Sequence, residues 1–222
     1  MNFSSHDTPE ARRWRTRMVR EQLAARGIRD RRVLAAMLAV PRHLFCPPAT
    51  TLAEAYGDYP LPIGAGQTIS QPWMVADMLA RLCLTGRENV LEIGAGSGYN
   101  AALLGRLARS VHSVELLPEL AASAGRRLAA LGSANVQVHA GDGARGWPAA
   151  APYDRIIITA AAPAVPEPLA AQLAENGLLL APLGDRFLQQ LQLFRKNAGG
   201  LVLCETSTPC RFVPLRGPLG FG

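Results

Sequence analysis

The sequence lacks the signals that mark several classes of protein. No apolar run reaches the roughly 18 residues that a membrane-spanning helix needs. The first twenty residues contain five arginines and no apolar stretch, so a secretory signal peptide is not predicted. Charged residues make up only 18% of the 222 residues and hydrophobic residues 49%, which argues against disorder. We therefore expect a globular cytoplasmic protein of one domain with a substantial core.

Cysteine is scarce, and its spacing does not suggest a metal site. The four cysteines are Cys46, Cys83, Cys204 and Cys210, no two of them are spaced as in a CxxC motif, and no histidine cluster accompanies them. A zinc site is therefore not expected. We expect these residues to be free thiols, buried or half-buried.

The net charge of +6 comes from the N-terminal segment. Residues 1–45 contain ten arginines against four acidic residues, whereas basic and acidic residues balance in the remainder. Either a basic face for nucleic acid or a solvated, arginine-rich helix fits this distribution. A nucleic-acid enzyme is expected to carry its basic face beside its catalytic motifs, so we favour the solvated helix.

Helices dominate the first third of the predicted structure, and strands alternate with helices afterwards. Residues 9–26 and 30–39 are predicted helices, the first ending at Gly27, and residues 46–72 are predicted to be an ordered loop region. Further helices are predicted at 72–83, 99–108, 119–131 and 166–175, and strands at 89–93, 110–114, 136–138, 153–159, 178–181, 188–195 and 201–206. The last two strands suggest a closing hairpin. This alternation predicts an α/β fold, with a mostly parallel sheet covered by helices on both faces and an N-terminal helical extension over 1–45.

A glycine-rich turn follows the first core strand, in the sequence Val90-Leu91-Glu92-Ile93-Gly94-Ala95-Gly96-Ser97-Gly98-Tyr99. Glycine allows positive φ angles and close approach to a ligand, and open α/β sheets bind ligands at this end of their strands. A dinucleotide-binding GxGxxG motif would need glycine at Tyr99. The carboxylate of Glu92 would repel a pyrophosphate and would attract the ammonium of a methionine moiety, directly or through water. The loop therefore favours S-adenosyl-L-methionine.

Acidic residues also follow the next two strands. Glu115 is placed to accept hydrogen bonds from two ribose hydroxyls, as an acid does in the dinucleotide fold. Asp142, within Gly141-Asp142-Gly143, is placed to accept a hydrogen bond from an adenine amino group. Each signal is weak by itself, since exposed strand-end acids and GDG turns are common. Signals at the ends of three consecutive strands together favour an adenosyl ligand.

The segment before the predicted core reads PLPIGAGQTISQP, from Pro60 to Pro72. On spacing alone, Ser70 suits a helix N-cap with Pro72 in the first turn. A serine nucleophile is not expected, because no histidine and acid pair is recognisable as its activator.

Over nearly its whole length the chain resembles the protein-L-isoaspartate (D-aspartate) O-methyltransferase family. The matching segments are Val40-Pro41-Arg42 with Phe45, Pro60 to Pro72, Val90 to Tyr99, Gly141-Asp142-Gly143, Ala151 to Asp154, Thr159-Ala160-Ala161, Pro182-Leu183-Gly184 and Phe212 to Leu215. The segment from Pro60 to Pro72 is the most specific, because general methyltransferases lack it. Departures such as Ala95, where threonine is frequent, remove no group that the chemistry needs.

The resemblance implies a class I (Rossmann-like) methyltransferase that uses S-adenosyl-L-methionine and releases S-adenosyl-L-homocysteine. Its substrate would be the free carboxylate of L-isoaspartyl residues, and also of D-aspartyl residues, in damaged proteins and peptides. By position it implies Ser70 as the active-site serine. The pocket is expected to contain Gln67, Thr68, Ile69, Glu92, Gly94, Gly96, Ser97, Gly98, Glu115, Asp142 and Gly143. We expect a monomer with no nucleic-acid or membrane partner and no metal.

Two alternatives remain open. A nucleic-acid methyltransferase that modifies amino groups would carry Asp/Asn-Pro-Pro-Tyr/Phe after the fourth core strand, where this chain has Thr159-Ala160-Ala161-Ala162-Pro163. A non-catalytic protein would bind the cofactor without transferring its methyl group.

Overall fold

The N-terminal third of the chain is helical and ends in a small hairpin. The structure, a computed structural model, describes residues 7–221. Its first elements are α1 (Pro9–Arg17), α2 (Arg31–Ala39), α3 (Leu52–Ala55), β1 (Leu61–Gly64) and β2 (Gln67–Ile69). The predicted loop region 46–72 thus contains a helix and an antiparallel strand pair. The hairpin forms because Ala65 and Gly66 both have positive φ, as a tight two-residue turn requires.

The first predicted helix, 9–26, is one continuous helical segment of changing pitch. After α1 the backbone widens into a π-helical stretch at Met18–Leu23 and tightens into a 3₁₀ turn at Ala24–Arg26. A π-helix bonds each residue to the one five positions away. Met18 and Leu23, five apart, are both fully buried, so the wider pitch turns both toward the core. Gly27, with φ of 100°, ends the segment as predicted.

The arginines of this region are not uniformly solvated. Arg15 is buried and donates two hydrogen bonds of 2.9 Å to the carboxylate of Asp7. Arg42 is 0% exposed, and its Nε donates to the carbonyl of Ala55 at 2.8 Å. Burial lowers the pKa of Arg42. The expected solvated face therefore holds for exposed residues such as Arg13 but is wrong for Arg15 and Arg42.

Tyr99 joins the extension to the rest of the chain. Its ring is fully buried, meets the ring of Phe45 edge-on at 5.5 Å, and lies under the guanidinium of Arg42 at 5.2 Å. Its hydroxyl donates to the Met37 sulfur at 3.6 Å. The residue that follows Gly98 is thus packed directly against the N-terminal helices.

A seven-stranded sheet forms the rest of the structure. Its elements are α4 (Pro72–Arg81), β3 (Asn89–Ile93), α5 (Tyr99–Leu107), β4 (Ser110–Glu115), α6 (Pro118–Ala130), β5 (Val136–Ala140), β6 (Tyr153–Ile158), α7 (Glu167–Gln172), β7 (Leu173–Gly184), β8 (Gln189–Asn197) and β9 (Gly200–Cys210). The strand order is β5-β4-β3-β6-β7-β8-β9. The strands from β5 to β7 in this order are parallel, and β8 and β9 add antiparallel. The predicted parallel sheet and closing hairpin are both confirmed.

Both faces of the central strands β3, β4 and β6 are buried, as predicted, whereas the outer strand β9 is largely exposed. Successive residues of a strand point to opposite faces. Val90 and Ile157 belong to one apolar cluster, which includes residues of α2, α4 and α5, whereas Leu91 and Ile156 belong to a second cluster, which includes Leu169 of α7. Among the helices of residues 7–221, none is long and apolar enough to cross a bilayer.

The predicted helix 166–175 is wrong at its end. The observed helix ends at Gln172, and β7 begins at once and runs well beyond the predicted 178–181. Lys196 Nζ donates to the carbonyls of Ala170 (2.9 Å) and Leu173 (2.7 Å), which satisfies the end of the helix from a distant strand. A local pattern does not reveal this cap.

The four cysteines are free, as expected. Cys46 and Cys210 are buried, but Cys83 and Cys204 are exposed, so the expectation of burial is wrong for the latter pair.

Candidate functional site

A cleft opens at the carboxyl ends of β3, β4 and β6. The strand order reverses at this place, because the chain leaves β3 to one side for β4 and returns to the other side for β6. The space at these strand ends, about 950 Å³ when the solvent at its mouth is included, is the candidate small-molecule site. Its lining comes from residues 67–70, 93–97, 114–117, 159–160 and 213–216, with a few residues between them.

The turn requires glycine because its backbone has positive φ angles and because a side chain would clash with a neighbour. Gly94, Gly96 and Gly98 have φ angles of 99°, 52° and 88°. A Cβ on Gly94 would lie 2.5 Å from the hydroxyl oxygen of Thr159. That hydroxyl is held by the backbone carbonyls of the turn, including Gly94 O at 2.8 Å. Gly94, Gly96 and Ser97 line the cleft, whereas Gly98 lies behind it at the start of α5.

Glu115 anchors the turn from the end of β4. It is 7% exposed, and its two carboxylate oxygens accept from the backbone N–H groups of Gly96 (2.8 Å) and Leu117 (3.0 Å). The sequence places an acid here, and the structure brings it into the cleft wall. Glu115 therefore fixes the loop that would face a ligand.

Glu92 does not reach the cleft. Its side chain is fully buried, accepts a hydrogen bond from Asn100 Nδ2 at 2.8 Å, and accepts another from the hydroxyl of Ser113. Burial raises the pKa of Glu92 to about 7, and nearby Glu115 adds to the effect, although the two hydrogen bonds oppose it. Asn100 does line the cleft. Glu92 can therefore act on a ligand through Asn100.

Of the neighbouring residues Asp142 and Gly143, only Gly143 lines the cleft. A Cβ on Gly143 would lie 2.5 Å from Ile93 Cγ2. Asp142 accepts from the backbone N–H of Ala144 at 3.0 Å and thereby caps a 3₁₀ turn beside the cleft. Its carboxylate is absent from the described lining.

Ser70 lies in the cleft together with Gln67, Thr68 and Ile69. The alternative interpretation, in which Ser70 caps the following helix, is wrong. The N-cap of α4 is Gln71, and no side chain of the cap residue bonds to the helix. The position of Ser70 is therefore set by other contacts.

Those contacts come from Asp58, which sequence analysis did not single out. Its Oδ1 accepts from the backbone N–H of Trp73 at 2.9 Å, and its Oδ2 accepts from Gln71 Nε2 at 2.9 Å. Arg26 pairs with the same carboxylate and stacks over the Trp73 ring at 5.3 Å. Asp58 thus supplies the cap of α4 and fixes Gln71 and Trp73, which follow Ser70 in the chain. A cap from twelve or more positions away leaves no local sequence signal.

Other cleft residues were also missed as site residues. Thr159 and Leu215 belong to segments that match the family, and the position of Thr159 just after β6 was an available signal. No signal in the sequence indicated that Asn100 or Arg216 would line the cleft. Across residues 7–221 no group of three or more His, Cys, Asp or Glu side chains is placed to hold a metal ion.

The lining suits an adenosyl group with a cationic amino-acid end. Apolar side chains, among them Val114 and Leu117, offer surface for a flat ring, while the turn offers backbone amides. Glu115 is the only acidic side chain of the described lining, and Asn100 adds a polar amide. Gly94 and Gly143 keep the floor free of side chains.

Comparison with known proteins gives the same picture. The model of the family "Protein-L-isoaspartate(D-aspartate) O-methyltransferase" matches residues 14–219. The chain is 54% identical over 202 residues to a protein-L-isoaspartate O-methyltransferase of Anaeromyxobacter dehalogenans, covering 90% of this chain and 96% of that protein. A solved protein-L-isoaspartate O-methyltransferase aligns with a TM-score of 0.85 at 32% identity, covering 93% of this chain and 67% of that one.

A second solved structure has a ligand. It is a Plasmodium falciparum protein described as a protein-L-isoaspartate O-methyltransferase, in complex with S-adenosyl-L-homocysteine. It aligns with a TM-score of 0.78 at 25% identity over 91% of this chain and 98% of that one. Since the family model and the relatives match nearly the whole length, including the segments that build the cleft, the chain belongs to the protein-L-isoaspartate (D-aspartate) O-methyltransferase family.

Proposed function

We propose that this protein transfers a methyl group from S-adenosyl-L-methionine to the free α-carboxylate of L-isoaspartyl residues, and of D-aspartyl residues, in damaged proteins and peptides. The observation that carries this proposal is the meeting of Ser70, from the family-specific segment, with the glycine turn and Glu115 in one cleft. The family membership supports the same activity.

The cofactor supplies an electrophilic methyl group next to a positively charged sulfur. Glu115 and the amides of the turn would hold its ribose, and Val114, Leu117 and Gly143 would flank its adenine. Asn100, held by buried Glu92, would meet its methionine end. The Plasmodium relative was solved in complex with S-adenosyl-L-homocysteine, which supports this class of cofactor.

The chain needs to supply little acid or base chemistry. The substrate carboxyl has a pKa of roughly 4 and is already ionised at pH 7, so it requires no general base. We assign Ser70 to orienting this carboxylate by donating its hydroxyl hydrogen, with backbone amides assisting. Positioning of two reactants lowers a barrier by up to about 7–11 kcal/mol.

The product completes the repair by itself. The backbone nitrogen of the following residue attacks the carbonyl of the new ester, a succinimide ring forms, and methanol leaves. Water then opens the ring, which returns part of the population to ordinary aspartate.

We also propose that the enzyme is a cytoplasmic monomer of one domain and does not modify nucleic acid. Tyr99 is the only aromatic residue in the described lining, and its ring is buried under Arg42, so it offers no stacking surface to a base.

The test uses labelled cofactor and two peptides that differ only in an aspartyl or isoaspartyl linkage. We expect base-labile label in the isoaspartyl peptide alone. Ser70→Ala should lower turnover about 10–100-fold, the cost of one hydrogen bond to a charged group, and should leave adenosylhomocysteine affinity nearly intact. Ser123→Ala, on α6 outside the cleft, is the matched control. Label in RNA but not in peptide would overturn the proposal, and equal turnover of Ser70→Ala and wild type would overturn the role of Ser70.

A further inference from the structure

The cleft contains one cationic and one acidic side chain. Among its described lining residues, Arg216 is the only lysine or arginine, and Glu115 is the only aspartate or glutamate. Glu115 is already bound to two backbone amides of the cofactor side. Among the described residues Arg216 and Glu115 form no ion pair, so the positive charge of Arg216 is not neutralised by the other charge of the cleft.

The backbone that carries Arg216 is firmly held. Ala161 N–H donates to Val213 O at 2.8 Å, Leu215 N–H donates to Ala161 O at 2.7 Å, and Phe221 N–H donates to Leu215 O at 2.8 Å. Leu215 is itself buried in the second apolar cluster. Arg216 starts from this fixed point, and its side chain is exposed.

The guanidinium of Arg216 is available to a substrate. It takes part in none of the ion pairs of residues 7–221. Arginine binds carboxylates in a planar, two-pronged geometry. A cation of this kind at the edge of a cleft attracts an anionic partner during approach and holds it after contact.

We propose that Arg216 makes the enzyme prefer isoaspartyl sites that have an acidic residue beside the damaged one. This inference rests on the proposed function and adds a specificity determinant to it. The geometry points to a flanking carboxylate rather than to the reacting one. Arg216 is exposed whereas Ser70 is half-buried, and a guanidinium clamped on the reacting oxygens would withdraw the electron density that their attack requires.

The effect should be modest and sensitive to salt. An exposed pair of opposite charges changes an affinity by roughly 1.4- to 5-fold. Added salt weakens it, since the screening length falls from about 10 Å at 0.1 M to about 3 Å at 1 M. The preference should appear in KM, because the flanking residue does not react.

The experiment compares two isoaspartyl peptides that are identical except for Glu or Gln next to the damaged residue. In low salt, wild type should turn over the Glu peptide with a severalfold higher kcat/KM, and 0.5 M salt should remove most of the difference. Arg216→Ala should bring the ratio of the two peptides close to one, and Arg216→Glu should invert it. Arg211→Ala removes an equal charge from an exposed position outside the cleft lining, so it should keep the wild-type ratio.

An unchanged ratio in Arg216→Ala would overturn the inference, as would an equal loss in Arg211→Ala. Turnover of both peptides by wild type without a charge preference would overturn the role of Arg216 and leave the proposed function standing. Turnover of neither peptide would overturn both.

Discussion

The fully buried carboxyl of Glu92 should make stability depend on pH in an unusual direction. Its pKa is raised to about 7 in the folded protein, against an ordinary value of 4.5. The folded protein therefore retains a proton that the unfolded chain releases. As the pH rises from 4.5 to 7, the contribution of Glu92 to the unfolding free energy falls, and the penalty is complete above pH 7. Its size is on the order of 3 kcal/mol.

Glu92→Gln removes the ionisable group and keeps the hydrogen bonds. The amide oxygen can accept from Asn100, as Oε1 does now, and the amide nitrogen can donate to the Ser113 hydroxyl. We expect the variant to be more stable than wild type by about 3 kcal/mol at pH 8, with the difference shrinking toward zero near pH 4.5. Urea unfolding of the cofactor-free proteins at a series of pH values measures this difference.

Glu88 provides a control of opposite sign. Its burial opposes ionisation, but hydrogen bonds from Thr85, Gly86 and the surrounding backbone outweigh it and lower the pKa of Glu88. Its contribution is present above the ordinary pKa and is lost as the pH falls through the lowered value. Glu88→Gln should therefore be less stable than wild type at pH 8. Parallel pH curves for Glu92→Gln and wild type would refute the argument about Glu92.

Two further variants test the cleft. Glu115→Ala leaves the N–H of Gly96 without its acceptor and removes the proposed ribose ligand, so adenosylhomocysteine should bind at least about tenfold more weakly by calorimetry. Unchanged affinity would contradict the assignment. Asp58→Ala should lower the unfolding free energy by about 0.5–2 kcal/mol through loss of the cap on Trp73, and should slow methyl transfer as the residues next to Ser70 loosen. Asp58→Asn keeps an acceptor oxygen and should recover most of both quantities in urea titrations and turnover assays. Wild-type stability and turnover in Asp58→Ala would show that the cap is unimportant.

The parts of the fold that depend on local pattern were predictable. The strand at 89–93 was predicted at its observed bounds, because a short apolar run between a charged turn and three glycines allows few alternatives. The end of α7 was not predictable, since the residue that satisfies its carbonyls is Lys196, two strands away in the sequence. The π-helical stretch was missed because its cause, the joint burial of Met18 and Leu23, is a property of the packed core.

In the site, too, some residues were predictable from local sequence and others were not. Residues of the glycine turn and Glu115 lie in the cleft because the carboxyl ends of parallel strands converge, and sequence spacing is enough to place them. Glu92 was expected to face a ligand. It lies within β3, and its carboxylate is buried behind the residues that line the cleft. The sequence motif does not show which way the side chain of a strand residue points. Asp58 and Arg216 act through contacts that only the folded chain brings together.

The packing of Tyr99 couples the N-terminal helices to the glycine turn. Because its ring lies among Met37, Arg42 and Phe45, the turn that ends one position earlier is braced by helices far from it in sequence. Detaching those helices would expose the ring of Tyr99 to water and would remove the contacts that brace the turn. Ligand binding in the cleft and the packing of residues 9–45 are thus linked thermodynamically, so proteolytic removal of that segment should also weaken ligand binding.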